Sequence, residues 1–468
     1  MKPMTLSPPI IFSPVHNGGK AVAITGHLAG ANVKVFRKAM AGNLDQIWLG
    51  VAPQVQCFNC ILSQKLAWND KVYAVQDYKV GSQVLKSADP PSATYIAAYP
   101  TLPLLVPYLT SPLYTCARAI RVGNIVNGAM VEVYLNGARI FQAPIGAPNL
   151  GIGVKALKTG DVLYAVQYFP DIKPATSAKY TVTPYPNKRL PKPIIKKPLL
   201  ECAPSFEVEG LVLGATLFVS EKTSNTLIAE QVVDESTASI HLEKGLKLGW
   251  TLVASQQLCG ASDLSPDSTA VKVEEIACII TYPPTIAAKM TPGDSFIVVN
   301  GLHESTIRVL ADGKDIGGGT CYGTTAFYLD PPLTSAKILL VQSLDCRKKV
   351  WEVNSIPVHS APGDEVIELD EKNFNSMINK SSLPMMIDFW AKWCHTCLTV
   401  MPKVEQIAKD YAGKAIIAKC NIDLYNPYKD NAIPKFRFYK KSNPTPVMTV
   451  SGWDETKLRS ELNTLIGP

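Results

Sequence analysis

The sequence predicts a multidomain chain, four tandem all-β sandwiches followed by one α/β domain. Three observations predict it. A strand–glycine–strand motif recurs four times at a period of about 90 residues. Proline-rich joins separate the copies, and after Pro362-Gly363 the apolar pattern changes to strands alternating with helices. The composition agrees: 468 residues, 47% apolar and 18% charged, make a globular chain of several domains, and 36 prolines with 30 glycines imply many short strands joined by turns. The expected divisions are 1–90, 91–186, 187–282 and 283–361 for the sandwiches and 362–468 for the α/β domain.

The repeat reads AVAITGHLAGANVKVF from Ala21, AIRVGNIVNGAMVEVYL from Ala119, SFEVEGLVLGATLFVS from Ser205 and SFIVVNGLHESTIRVL from Ser295. Each copy has an apolar strand, a glycine (Gly26, Gly123, Gly210, Gly301), a short connection and a second, alternating strand. Gly-Ala precedes that second strand at Gly30, Gly128 and Gly214, whereas the fourth copy has Glu304-Ser305. A later landmark ends in Gln76, Gln167, Gln256 and Gln342 (VYAVQ, LYAVQ, LVASQ, ILLVQ). Alternation buries one face of a sheet and solvates the other. A glutamine recurring at one strand position is expected to meet a backbone group, not a ligand. The copies resemble the Ig-like modules strung in tandem in bacterial surface and adhesion proteins, without the Cys…Trp…Cys spacing of antibody domains. The joins, Asp89 to Pro112, Pro184 to Pro198 and Tyr282 to Pro292, read as semi-rigid spacers. The expected shape is a rod or shallow arc of four beads.

The net charge of +7 is spread along the chain. Its densest cluster, Lys188 to Lys197, is interleaved with prolines and reads as a solvated linker, so no nucleic-acid partner is expected. No run of 18 apolar residues exists, so no membrane-spanning helix is expected. The N-terminus has no apolar signal core; the expectation is a cytoplasmic protein, with export by a route needing no such signal as the alternative. Eleven cysteines leave at least one unpaired. Cys202 with Cys259, and Cys346 with Cys278 or Cys321, are candidate disulfides within the third and fourth sandwiches. Cys57-Phe58-Asn59-Cys60 has strand-like flanks and reads as a turn disulfide or two plain thiols. The six histidines, His359 among them, lack metal-ligand spacing and read, His395 apart, as surface or strand-edge side chains; no metal or cofactor is expected.

The chemistry concentrates in Met386-Ile387-Asp388-Phe389-Trp390-Ala391-Lys392-Trp393-Cys394-His395-Thr396-Cys397, an apolar strand, a turn and two cysteines opening a helix. At a helix N-terminus unpaired N–H groups and the dipole favour thiolate, so Cys394 is expected to be the attacking sulfur and Cys397, one turn further in, the resolving one. Strands are expected at 366–369, 383–390, 414–422, 435–440 and 446–452, with helices at 371–378, 396–412 and 454–465, the last capped by Asp454.

From about Glu365 to Ile466 this pattern resembles thioredoxin. The motif Asp388-Phe389-Trp390-Ala391-x-Trp393-Cys394-x-x-Cys397 carries the resemblance, supported by Pro402, Ala418-Lys419-x-Asn421-Ile422-Asp423, Ile433-Pro434 and Gly452. The resemblance implies a mixed sheet flanked by helices, a cis-proline at Pro434 against the sulfurs, a buried Asp388 that accepts a proton from Cys397, and Lys419 paired with that carboxylate. It implies a protein-disulfide oxidoreductase whose clients are protein thiols and disulfides. Trp393, His395, Thr396 and Lys435 are the expected redox-tuning or groove residues. His395-Thr396 replaces the family's Gly-Pro, and a charged His395 would favour the reduced dithiol. Lys435 stands where threonine is usual, and the nine residues Leu424 to Ala432 are too few for the usual helix. Cys420 is expected to be a buried thiol. Two functions follow: a redox head on a rod of Ig-like binding or spacer repeats, or a structural or adhesive repeat protein with the α/β domain as docking or folding cap. A surface or assembly partner for the repeats accompanies either.

Overall fold

The computed structural model describes residues 5–467 except 90, 92–93, 261–262, 288–293, 334–336, 347–348, 356–357, 360–365, 382 and 412–413; of Val358, His359 and Lys380 only the backbone is described. Pro90, Pro292, Pro362-Gly363 and the side chain of His359 therefore lie outside the described residues. In the first sandwich Ile10–Ile11, Ala21–Thr25 and Cys57–Ile61 make one sheet. Leu44–Val51, Asn32–Lys38, Lys71–Val80 and Gln83–Lys86 make the facing sheet. Val22, Ile24 and Cys60 meet Val33, Val35 and Val72 between the sheets. The same antiparallel order returns in the other three units, a three-stranded sheet facing one of five strands in units 1, 2 and 4 and of four in unit 3, the arrangement expected of an Ig-like sandwich. Tyr95–Ile96 also pairs with Lys71–Val80, so the first sandwich runs past residue 90.

Both sequence landmarks have a structural cause. Gly30, Gly128 and Gly214 have φ of +80°, +88° and +80°, a left-handed turn that glycine adopts without cost. In the fourth unit Glu304 occupies that turn at φ +55°. Each landmark glutamine is buried and clamps two backbone segments. Gln167 Oε1 accepts from Val126 N (2.7 Å), while its Nε2 donates to the carbonyls of Leu105 (2.6 Å) and Asn124 (3.0 Å). Gln76 ties Leu28 to Ser7, Gln256 ties Val212 to Pro191, and Gln342 ties Leu302 to Tyr282 in the same way.

The rod does not form. Tyr95–Ile96, Tyr108–Leu109, Ile194–Ile195 and Thr285–Ile286, all in or beside the joins, are strands of the sheets, so no spacer is left to hold the units apart. Unit 1 meets unit 2 where Gly146 lies on the backbone of Val22 and Ala23, so close that a Cβ there would fall 2.1 Å from Val22 C. Arg121 of unit 2 pairs with Asp234 (3.1 Å) and Glu235 (2.6 Å) of unit 3. His241 of unit 3 meets Glu304 of unit 4 at 3.1 Å. Unit 4 then returns to unit 1: Ser7 N donates to Gly318 O (3.0 Å) and Ala29 N to Thr320 Oγ1 (2.9 Å). The four sandwiches close into a ring.

The disulfide pairing within single sandwiches is also corrected. Cys116 joins Cys259 and Cys202 joins Cys346, stapling unit 2 to unit 3 and unit 3 to unit 4. Spacing alone favoured partners within one copy; it could not show that the copies touch. Cys278 and Cys321 are free thiols. Cys57 and Cys60 are free as well. They lie three apart on one strand, so their side chains leave by opposite faces.

We number the elements of the C-terminal domain β1 (Ile367–Leu369), α1 (Phe374–Lys380), β2 (Met385–Trp390), α2 (His395–Asp410), β3 (Ile416–Asn421), β4 (Lys435–Tyr439), β5 (Pro446–Ser451) and α3 (Glu455–Ile466). The sheet order is β1-β3-β2-β4-β5, with β1, β3 and β2 parallel and β4 and β5 antiparallel. Val404 and Ile407 of α2 and Leu458 and Leu462 of α3 cover Met386, Ile417 and Phe436. Residues 424–432 hold no helix, and Asp454 caps α3 by accepting from Lys457 N (3.0 Å). No helix among the described residues is long and apolar enough to cross a membrane.

Candidate active site

A strand delivers the site and a helix opens it. β2 is buried at all six residues. The chain turns at Ala391–Trp393, and Cys394 becomes the N-cap of α2, its sulfur accepting from Cys397 N at 3.1 Å. Cys394 and Cys397 are joined as a disulfide, 7% and 0% exposed. The Ile433–Pro434 peptide is cis, and Pro434 O accepts from Gly452 N (2.9 Å) at the start of β4.

Asp388 is 1% exposed on β2, and neither of its carboxylate oxygens meets a donor among the described residues. Burial pushes its pKa up to about 8, against the opposing pull of Lys419. The expected ion pair of Asp388 with Lys419 is not made. Lys419 stands beside Asp388 in the β2–β3 register, but its ammonium turns to Glu368 on β1 at 3.2 Å. Glu368 is half exposed and better solvated than Asp388, so it receives the charge at lower desolvation cost. Lys435 pairs with Asp430. Cys420 is buried, donates to Tyr425 O (3.3 Å) and has a pKa pushed up to about 12 by burial.

The face around the disulfide is not open. The Trp393 ring stacks on Phe12 of unit 1 at 4.9 Å, and its indole N–H donates to Asp423 at 2.8 Å. Burial raises Asp423 to about 6. Lys392 is 5% exposed, with its ammonium over the rings of Phe296 (4.5 Å) and Tyr328 (4.4 Å) of unit 4; burial lowers it to about 8. Trp390 lies 5.4 Å from Phe296. His395 Nδ1 sits 2.9 Å from Gln56 Nε2 of unit 1 and 3.1 Å from Thr324 O of unit 4. One ring nitrogen serves these one at a time, accepting from Gln56 or donating to Thr324. Burial holds the His395 pKa below its ordinary value, so the charged imidazole expected beside the sulfur is disfavoured. Thr396 alone of the motif points to solvent.

The sequence singles out the dithiol, Asp388, Trp393 and Pro434, while no motif marks Phe12, Gln56, Phe296 and Lys392, which lie around the same face. A signal for the missing partners was present. In the strand facing outward from the sandwich core, Ala23 and Val298 occupy the central position in units 1 and 4, while units 2 and 3 carry Arg121 and Glu207 there. An apolar residue on both faces marks a strand covered on both faces.

A disulfide at the N-terminus of a helix, in a domain with a mixed five-stranded sheet and a cis-proline leading into β4, defines a dithiol α/β domain. A family model for thioredoxin matches residues 365–464. A thioredoxin of Haemophilus influenzae is 33% identical over 88 residues, 19% of this chain and 77% of that protein. The M-type chloroplastic thioredoxin of Zea mays is 36% identical over 81 residues, 16% of this chain and 48% of that protein, and a thioredoxin of Chlorobaculum thiosulfatiphilum 50% over 56 residues, 12% and 52%. Through this C-terminal domain the chain belongs to the thioredoxin family. It spans about half the length of the plant relatives it matches.

Proposed function

We propose that the chain is a thiol–disulfide oxidoreductase whose Cys394–Cys397 dithiol exchanges with protein disulfides, carried on a ring of Ig-like units. The observation that carries this reading is the pair of cysteines at the N-terminus of α2, with Cys394 as its N-cap. In the reduced form the Cys394 thiolate attacks a client sulfur, forming a Cys394–client disulfide and releasing one client thiolate. The Cys397 thiolate then attacks Cys394, closing the internal disulfide and releasing the second client thiol; the client is reduced by two electrons and the chain oxidised. Asp388, whose pKa burial raises to about 8, keeps a minor carboxylate fraction near neutral pH; that carboxylate takes the Cys397 proton in this direction, and the acid form returns it in the reverse one. Pro434 offers no N–H beside the sulfurs and leaves that space to a client backbone. Trp393 and Lys435 border it.

The test is reduction of insulin disulfides in the presence of a thiol reductant. Wild type should accelerate precipitation of the insulin B chain, and Cys394→Ser should fall to background. Background rates in wild type, in Cys394→Ser and in a chain whose redox face is freed from the ring would sink the reading. A second reading, that the domain is a docking or folding cap for the ring, is favoured by the burial of the redox face, and that result would support it.

A further inference from the structure

We infer that units 1 and 4 form a dedicated docking surface for the redox face of the thioredoxin domain, and that docking closes the dithiol to protein disulfides until the domain lifts. The inference rests on the oxidoreductase reading for its consequence, but not for its geometry.

Four residues carry it. Trp390, Lys392 and Trp393 lead into Cys394 and His395 follows it, and each is held by the ring: Phe296 for Trp390 and Lys392, Phe12 for Trp393, Gln56 and Thr324 for His395. Ile10, Phe12 and Ala23 of unit 1 and Val298 and Ala326 of unit 4 belong to one continuous apolar core with Trp393 and Cys394. A polypeptide client must bring its sulfur to Cys394, and Cys394 is 7% exposed within that core. The ring supplies the competing ligand from the same chain, at the high effective concentration of an intramolecular partner.

The repeats themselves show that the surface is special. Units 1 to 4 are copies of one fold, and the outward centre of the first sheet differs between them. Arg121 and Glu207 occupy it in the units away from the dithiol; Ala23 and Val298 occupy it in the units under the dithiol. A charge at either of the latter positions would be stranded in the apolar core. His395 fits the same account. It departs from the glycine of ordinary thioredoxins, and its Nδ1 lies within hydrogen-bond reach of both units, serving one of them at a time.

The experiment uses the full, reduced chain. Labelling of Cys394 by iodoacetamide and by a bulky maleimide–polyethylene glycol is followed by peptide mass spectrometry in wild type, Phe12→Ala and Gln56→Arg. Gln56 is a half-buried turn residue, so its variant keeps the sandwich folded if Phe12→Ala does not. Docking predicts that the bulky reagent labels wild type about ten-fold more slowly than the Gln56→Arg variant, the factor that separates a mostly closed from a mostly open population. It also predicts that the two reagents differ in wild type far more than in the variant. Equal rates for wild type and both variants, or equal access of both reagents to wild-type Cys394, overturn the inference. Insulin reduction by the same variants is read separately. Faster labelling without insulin reduction leaves docking standing and removes the oxidoreductase function.

Discussion

Asp388 is the residue whose environment is most at odds with its chemistry. It is a carboxylate in the core without a donor, and burial raises its pKa from the ordinary carboxylate range to about 8. A raised acid pKa means that the native state holds a proton the unfolded state has released. Stability therefore falls as pH rises through the window and levels off above pH 8. Asp423, raised to about 6, contributes in the same direction lower down, and Lys392, lowered to about 8, titrates mainly above it. His16, His27, His303 and His395, all held below their ordinary value by burial, pull the other way as the unfolded chain loses its imidazole protons. The Asp388 contribution is therefore read as a difference: between pH 6.5 and 8 wild type is expected to lose about 2 kcal/mol or less relative to Asp388→Asn. Urea titrations at the two pH values measure both. Asp388 was legible because it sits at a fixed offset from the dithiol. The turn of Lys419 toward Glu368 was not, because the choice between two carboxylates depends on their relative solvation, which one strand's sequence does not express.

At the scale of the element, the glutamine strands explain how four diverged copies keep one architecture. Each glutamine satisfies one N–H and at least one C=O of segments that have no ladder partner there, so its loss strands buried backbone groups. Gln167→Ala is expected to destabilise the second sandwich by about 2–4 kcal/mol, with Gln167→Glu only partly restoring it, since a carboxylate cannot donate to Leu105 and Asn124. Guanidinium denaturation followed by fluorescence reads the loss. Strands, repeats and the order of the α/β elements were legible because each depends on local periodicity. The both-sided burial of Ala21–Thr25 and Phe296–Asn300 was visible in the same letters, AVAIT and FIVVN beside AIRVG and SFEVE. It gains meaning only when the copies are set against one another.

For the whole molecule, closure of the ring was the feature least accessible to sequence. It depends on contacts such as Ser7 with Gly318, some 300 residues apart and carrying no motif. The cysteines report on it. Six are paired and five, Cys57, Cys60, Cys278, Cys321 and Cys420, are free. Denatured, unreduced protein should therefore release five thiols to Ellman's reagent, and reduced protein all eleven. Tryptic mapping should recover Cys116 with Cys259 and Cys202 with Cys346; Cys202 with Cys259 would overturn the inter-unit staples.

The placement of those staples has a mechanical consequence. They tie units 2, 3 and 4 into one covalent arc and leave unit 1 attached to its neighbours only by its peptide link and by packing. The loop is therefore a bracelet with a single unriveted link. The thioredoxin domain rests across the seam between that link and the end of the arc. Under force, heat or dilute denaturant this seam is expected to part without breaking a disulfide, and the face that carries the dithiol lies over it.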